Sequence, residues 1–226
     1  MEINEKYTIN VERLKSQLRQ LKTTRALFRW PVTQRQAEDI LLAAYMVEVE
    51  YRGHKFQQDD NTKHNIQRIA EYLAQPNKPG LMLAGTCGNG KTSLMMAIQS
   101  ATNVLTKNKA FGTDEYGEDI KIGFTMVHVK DIIANCRNYA EMQELKKKPY
   151  LIIDDLGVEP KEVLDYGNVC NPVIELMEYR YDRQLTTFVT TNLSPPDLKD
   201  KYGIRIADRF NEMIEKIVFK DGSYRK

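Results

Sequence analysis

Cysteine and histidine are scarce in this 226-residue chain, three of each, and neither builds the cluster a structural metal would need. Cys87, Cys136 and Cys170 are odd in number, lie far apart and form no C-x-x-C pair. A disulfide framework and a zinc site are therefore not expected, and the cysteines read as free thiols of a cytoplasmic protein. His54, His64 and His128 also make no ligand cluster. No apolar run approaches the roughly 20 residues that span a bilayer. Met1 to Asn10 is polar, so neither a secretory signal nor a membrane partner is expected. Internal repeats, low-complexity segments and a guanine-reading N-K-x-D element are absent too.

What remains is ordinary globular material, 42% hydrophobic and 28% charged, enough for one main domain. The net charge of +2 is unevenly spread: residues 1–30 hold seven bases against three acids, a balance of +4, which leaves 26 bases and 28 acids, −2, for the remainder. A basic arm ahead of a nearly neutral body suggests docking onto an acidic protein surface or onto nucleic acid.

Gly85-Thr86-Cys87-Gly88-Asn89-Gly90-Lys91-Thr92 satisfies the phosphate-loop pattern G-x-x-x-x-G-K-[ST] at every constrained position. Glycines are needed because backbone N–H groups must wrap phosphate oxygens at the positive end of a helix. Lys91 is expected to reach the β and γ phosphates and Thr92 to bind Mg²⁺, with Ser93 completing the nucleotide-binding set. Farther on, Tyr150-Leu151-Ile152-Ile153-Asp154-Asp155 is a short apolar run ending in two acids. It reads as a buried parallel strand that presents carboxylates at its C-terminal tip. Asp154 is then the Mg²⁺-holding acid and Asp155 the group that polarises an attacking water, which predicts hydrolysis.

The periodicity places these motifs. Val11, Leu14, Leu18 and Leu21 predict an amphipathic helix from Ile9 to Lys22. Thr33-x-x-Gln36 resembles a capping box, with Ile40, Ala44, Val47 and Tyr51 on one face until Gly53. Ile66, Ile69, Ala70 and Leu73 mark a third helix, ended by Pro76-Asn77-Lys78-Pro79-Gly80. Then strand and helix alternate: strand 81–84, helix 91–106, strand 124–129, helix 130–139, strand 150–154, helix 172–183, strand 187–191. Such alternation means an α/β fold with a parallel sheet flanked by helices. Asn171-Pro172 and Ser194-Pro195 are read as helix starts, and Lys107 to Gly123 as an inserted loop or hairpin. Lys107, Lys109, Lys121 and Lys130 gather around that insertion. The division expected is a short helical arm over 1–53, for partner or DNA docking, and an ATPase domain over 54–226.

Asp154-Asp155-Leu156-Gly157, Glu178-Tyr179-Arg180-Tyr181-Asp182, Thr190-Thr191-Asn192-Leu193-Ser194 and Tyr202-Gly203-Ile204-Arg205-Ile206-Ala207-Asp208-Arg209-Phe210, in that order, resemble the DnaC/DnaI/IstB group of AAA+ ATPases. The likeness runs from about residue 55 to Ser223-Tyr224-Arg225. It implies an AAA+ P-loop fold without a sizeable C-terminal lid, ATP and Mg²⁺ as ligands, a nucleotide-dependent homo-oligomer, and action on single-stranded or double-stranded DNA. It implies a helicase loader partnered by a replicative helicase, or in the alternative branch a transposition ATPase that recruits a transposase. By the same resemblance Asn192 is a water-holding sensor, Arg209 an arginine finger acting in a neighbour's site with Arg205 as its substitute, and Arg225 a second sensor. Asp155 departs from the glutamate usual in AAA+ enzymes at large. A small-molecule kinase and a nucleotide-gated adaptor without turnover are the readings from other classes.

Overall fold

A computed structural model describes residues 10–21, 26–57, 59–114, 116–165 and 168–220. Five strands, β1 (Gly80–Gly85), β2 (Thr125–His128), β3 (Tyr150–Leu156), β6 (Thr186–Thr191) and β7 (Ile214–Phe219), form one sheet in the order β2-β3-β6-β1-β7. Every pairing in it is parallel. The three inner strands are largely buried on both faces, as helices on both sides require. Leu81 and Leu83 of β1 point into one core, with Ile152 and Phe188. Met82 points into the other, with Leu151, Ile153 and Val189. That split is the period-two geometry of a strand turned into two helical layers.

The first layer holds α2 (Gln34–Tyr51), α3 (Asp60–Ala74) and α4 (Lys91–Lys107). The second holds α5 (Val129–Ala134), α6 (Tyr139–Lys147), α7 (Pro172–Asp182) and α8 (Pro195–Met213). Helix starts follow the expected chemistry. Thr33 closes a capping box with Gln36, Asn171 accepts from Ile174 N ahead of Pro172, and Ser194 forms a second box with Asp197.

Several expectations need correction. The single helix 130–139 is two helices: α5 stops at Ala134, and Asn138 caps a new helix by accepting from Glu141 N at 3.3 Å. The pair of asparagines Asn135 and Asn138 offers the backbone local partners that compete with a continuous helix. The buried stripe of α2 is Ala37, Leu41 and Tyr45, whereas Val47 and Tyr51 are 63% and 88% exposed. A small antiparallel hairpin, β4 (Val163–Asp165) with β5 (Asn168–Cys170), was not anticipated. The 107–123 stretch is the loop or hairpin expected, with an antiparallel bridge from Thr113 to Asp119 among its described residues.

Residues inside the expected arm also enter the core. The Trp30 indole N–H donates to Thr102 Oγ1 at 3.0 Å, its backbone N–H donates to Leu73 O at 2.7 Å, and Phe28 stacks edge-on against Phe124 at 5.0 Å. By contrast α1 (Val11–Leu21) leaves Val11, Leu14 and Leu18 exposed.

Arg180 of α7 is fully buried and joins the base of the sheet to the α6–β3 turn. Its guanidinium donates to Thr187 Oγ1 at 2.8 Å, Thr186 O at 2.6 Å and Lys148 O at 2.7 Å. A planar fork is needed to reach acceptors on three sides, so lysine is a poor substitute. Arg180→Leu should cost about 3 kcal/mol, because buried carbonyls lose their donors. A urea midpoint within error of the parent would refute the assignment, and Arg180→Lys should recover little.

Candidate nucleotide site

The loop between β1 and α4 is bent by glycines that side chains could not replace. Gly85 has φ +152°, and a Cβ there would meet Phe219 O at 2.6 Å and Asn89 Nδ2 at 2.7 Å. Gly90 has φ +84°, and a Cβ there would meet the Tyr45 hydroxyl at 2.5 Å. Gly90 is also the N-cap of α4 and supplies no side-chain cap, so the first N–H groups of a 17-residue helix face the loop without one. Asn89 Nδ2 is buried without a hydrogen-bond partner among the described residues. Open helix amides, an unanswered amide and a cradle that a Cβ would fill together suit an anion of phosphate size.

Lys91 is only 5% exposed. Its ammonium donates to Gly85 O at 2.9 Å, Thr86 O at 2.7 Å, Asn89 Oδ1 at 2.9 Å and Asn192 Oδ1 at 2.9 Å. Burial lowers its pKa, opposed by the charges of Asp155, Cys87 and Asp154. Parallel pairing of β1 with β6 makes the Asn192 contact, since it brings the chain after Thr191 beside the loop after Ala84.

The two acids end β3 next door. Asp154 Oδ1 accepts from Thr92 Oγ1 at 3.0 Å and from Thr190 Oγ1 at 2.6 Å. Thr190 Oγ1 also accepts the Asp155 backbone N–H at 2.8 Å, so one buried hydroxyl holds both acids. Asp155 has φ +55°, and the β3–β6 register shifts between Ile153 and Leu156. A non-glycine residue in that region costs on the order of 1 kcal/mol. The strained turn leaves the Asp155 carboxylate 3.5 Å from His128 Nε2 at the tip of β2. Thr92 Oγ1 and Asp154 Oδ1, the two oxygens expected at Mg²⁺, are thus in direct contact. Among the described residues no group of three or more His, Cys, Asp or Glu could hold a metal.

Cys87, Gly88 and Ser93 line the same cleft of about 850 Å³, together with Asp155 and Asn192. Its far wall was missed in the sequence: Tyr45 and Val49 of α2 and Phe56 of the loop that follows. Tyr45 and Phe56 meet edge to face at 5.9 Å, forming an apolar wall of the kind a base requires. Thr190 and His128 were also missed. Both belong to strands flanking the acids, and the C-terminal tips of parallel strands are where ligand-facing groups gather.

The remaining residues are not in the cleft. Arg209 lies on α8 with Nη1 3.2 Å from Glu178 Oε1 and Nη2 3.8 Å from Asp182 Oδ1, its guanidinium 4.7 Å above the Tyr181 ring. It is paired within its own chain, to α7. Arg205 is 3.4 Å from the same Glu178 but 72% exposed. Arg225 lies outside the described residues. Of the four insertion lysines, Lys109 pairs with Asp119 at 3.3 Å, and all four are exposed.

The loop between β1 and α4, the two acids near the end of β3 and the asparagine following β6 thus meet at one edge of a parallel sheet. Comparison places the fold more narrowly. It superposes on the crystal structure of the DnaC helicase loader with a TM-score of 0.53 at 23% identity, covering 73% of this chain and 93% of that one. It superposes on that of DnaI with a TM-score of 0.55 at 23% identity, covering 83% and 93%. The chain therefore shares the fold of these two structures. In sequence it is 27% identical over an alignment 184 residues long to the replicative helicase loader DnaI of Bacillus subtilis strain 168, with 75% of this chain covered. It spans about half the length of that relative, 53%. No protein-family model matches the chain.

Gly90→Ala should weaken nucleotide binding roughly 10- to 100-fold, the range set by about 1–3 kcal/mol of backbone strain and contact. Adding Tyr45→Phe should recover only the part due to the hydroxyl contact. Titration with a fluorescent ATP analogue reads both, and parent affinity in Gly90→Ala would remove the cradle.

Proposed function

We propose that this chain binds ATP with Mg²⁺, hydrolyses it, and acts in DNA replication as a loader of a replicative helicase. One observation carries the ATPase reading: Lys91 meets Asn192 and Thr92 meets Asp154, at 2.9 and 3.0 Å, joining motifs far apart in the sequence around one loop. Gly85 to Thr92 and Ser93 bind the triphosphate, with Lys91 as its cation. Thr92 and Asp154 hold Mg²⁺, which when bound neutralises charge on the phosphate oxygens. Asp155, backed by His128, takes a proton from the attacking water, and Asn192 keeps that water in line. The loader reading draws on the similarity to DnaI and DnaC. It assigns the exposed apolar stripe of α1 and its Arg13, Lys15 and Arg19 to the helicase. No helix among the described residues is long and apolar enough to cross a membrane.

Lys91→Ala should lose nucleotide binding, while Asp155→Asn should keep binding and lose turnover by on the order of 10²-fold or more, since one group holds ground-state phosphates and the other only the water. Parent-level hydrolysis by Asp155→Asn would sink the assignment.

The nucleotide-dependent oligomer is proposed to place an α8 arginine in the neighbouring site. Arg209 must first leave Glu178 and Asp182, whereas the more exposed Arg205 has only its Glu178 pair to leave. Arg209→Ala should lose on the order of 10³ in turnover and regain it on mixing with Lys91→Ala, because junctions then combine an intact loop with an intact finger. Recovery with Arg205→Ala alone would transfer the role to Arg205.

DNA is proposed to lie along Lys107, Lys109, Lys121 and Lys130. Single-strand affinity should fall steeply with salt, and the quadruple alanine variant should flatten that slope. Unchanged affinity would make them a solvated face.

A further inference from the structure

Glu159 follows β3 closely and is 3% exposed, a buried carboxylate that the hydrolysis chemistry does not use. Such a group is costly unless its oxygens are answered. Oε2 accepts the Gly157 backbone N–H at 2.8 Å, and Oε1 accepts the Tyr202 hydroxyl. Lys201 Nζ donates to the Glu159 backbone carbonyl and stands 3.9 Å from Oε1. Apart from the turn's own amide, these partners come from α8. Burial and Glu159 together push the Tyr202 hydroxyl far above its ordinary pKa, which keeps it a donor.

Both ends of this contact lead to functional parts. Upstream, the turn begins at Asp154 and Asp155, and Gly157, at φ +109°, sits so close to Leu193 that a Cβ would meet Leu193 Cδ1 at 2.5 Å. Leu193 adjoins Asn192. Downstream, α8 breaks immediately after Tyr202 at Gly203, with φ 83° and ψ 163°. An added Cβ at Gly203 would meet nothing within 4 Å, so the glycine serves the backbone break rather than packing. Arg205 and Arg209 lie beyond the break.

We infer that Glu159 is a positioning residue that ties the turn behind the two acids to the first half of α8, so that nucleotide-dependent movement of the acids passes through the Gly203 break to the arginines. This rests on the ATPase reading above. Within one chain, the carboxylate joins the site that binds nucleotide to the helix offered to the next site. A clamp with no such role would hold the same atoms together, but its loss would not be made good by a second chain.

The test uses the whole chain with Tyr202→Phe, which removes one hydroxyl and keeps the ring, and with Glu159→Gln beside it. Both should bind an ATP analogue with parent affinity, lose roughly tenfold in turnover, as a hydrogen bond to a charged group is worth, and recover on mixing with Asp155→Asn, which binds nucleotide and whose α8 is intact. If the arginine variants recover in such mixtures and Tyr202→Phe does not, the inference is overturned. If the parent shows no turnover, the ATPase reading itself fails, and hydrogen exchange then decides. A non-hydrolysable analogue should change exchange over 204–213 in the parent and not in Tyr202→Phe. An equal response in both, or none in the parent, overturns the linkage.

Discussion

The buried Lys91 ammonium is the contact on which the site depends. A cation 5% exposed is stable only if oxygens surround it, and they come from its own loop and from Asn192. That demand fixes which strands must be neighbours. β1 carries the loop and β6 precedes Asn192, and their parallel register, Ala84 opposite Thr191, brings the two tips together. β3 follows on the other side of β6, which brings Asp154 within reach of both Thr92 and Thr190. Burial is the first cause that lowers the pKa of Lys91, and the charges of Asp155, Cys87 and Asp154 oppose it. A polyanion in the cleft would oppose it further.

The acids differ by environment rather than by kind. Asp154 is 8% exposed and accepts two hydroxyl hydrogen bonds, so its direction is set. Asp155 gets its direction from backbone strain: its φ of +55° and the register shift beside it turn the carboxylate out of the ladder toward His128. The Thr190 hydroxyl spans the two, donating to one carboxylate and accepting the other residue's amide. Its replacement by valine would leave both acids without that anchor while preserving the strand's shape.

Much of this was legible in the sequence because local chemistry was at work. Glycines at fixed spacing, apolar runs ending in acids, and Thr33, Asn171 and Ser194 before helices each carry their own physical reason, and the fold honours them. What stayed hidden depends on tertiary choice. In α2 several adjacent stripes are apolar, and only packing against α3 and α4 selects Ala37, Leu41 and Tyr45 over Val47 and Tyr51. The α5–α6 break rests on caps too short to show in an apolar periodicity. The pairing of Arg209 with Glu178 and Asp182 has no signal in the sequence, because it arises only from α7 lying alongside α8.

The same tertiary choice joins the chain's first half to the chemistry. Tyr45 belongs to α2, yet its hydroxyl occupies the space a side chain at Gly90 would need, and Val49 and Phe56 continue the cleft wall. α2 is held in turn on α4 by Glu48 accepting from Ser100 Oγ at 3.0 Å, and the chain entering it is held by Trp30 on Thr102. Three contacts thus run from the chain ahead of α2 to the phosphate loop without leaving the helix pair. A displacement of α2 is passed along this path because packed helices shift as rigid bodies rather than deform. It would therefore act first on the wall of the cleft, at Tyr45 and Gly90, before it reached the acids of β3.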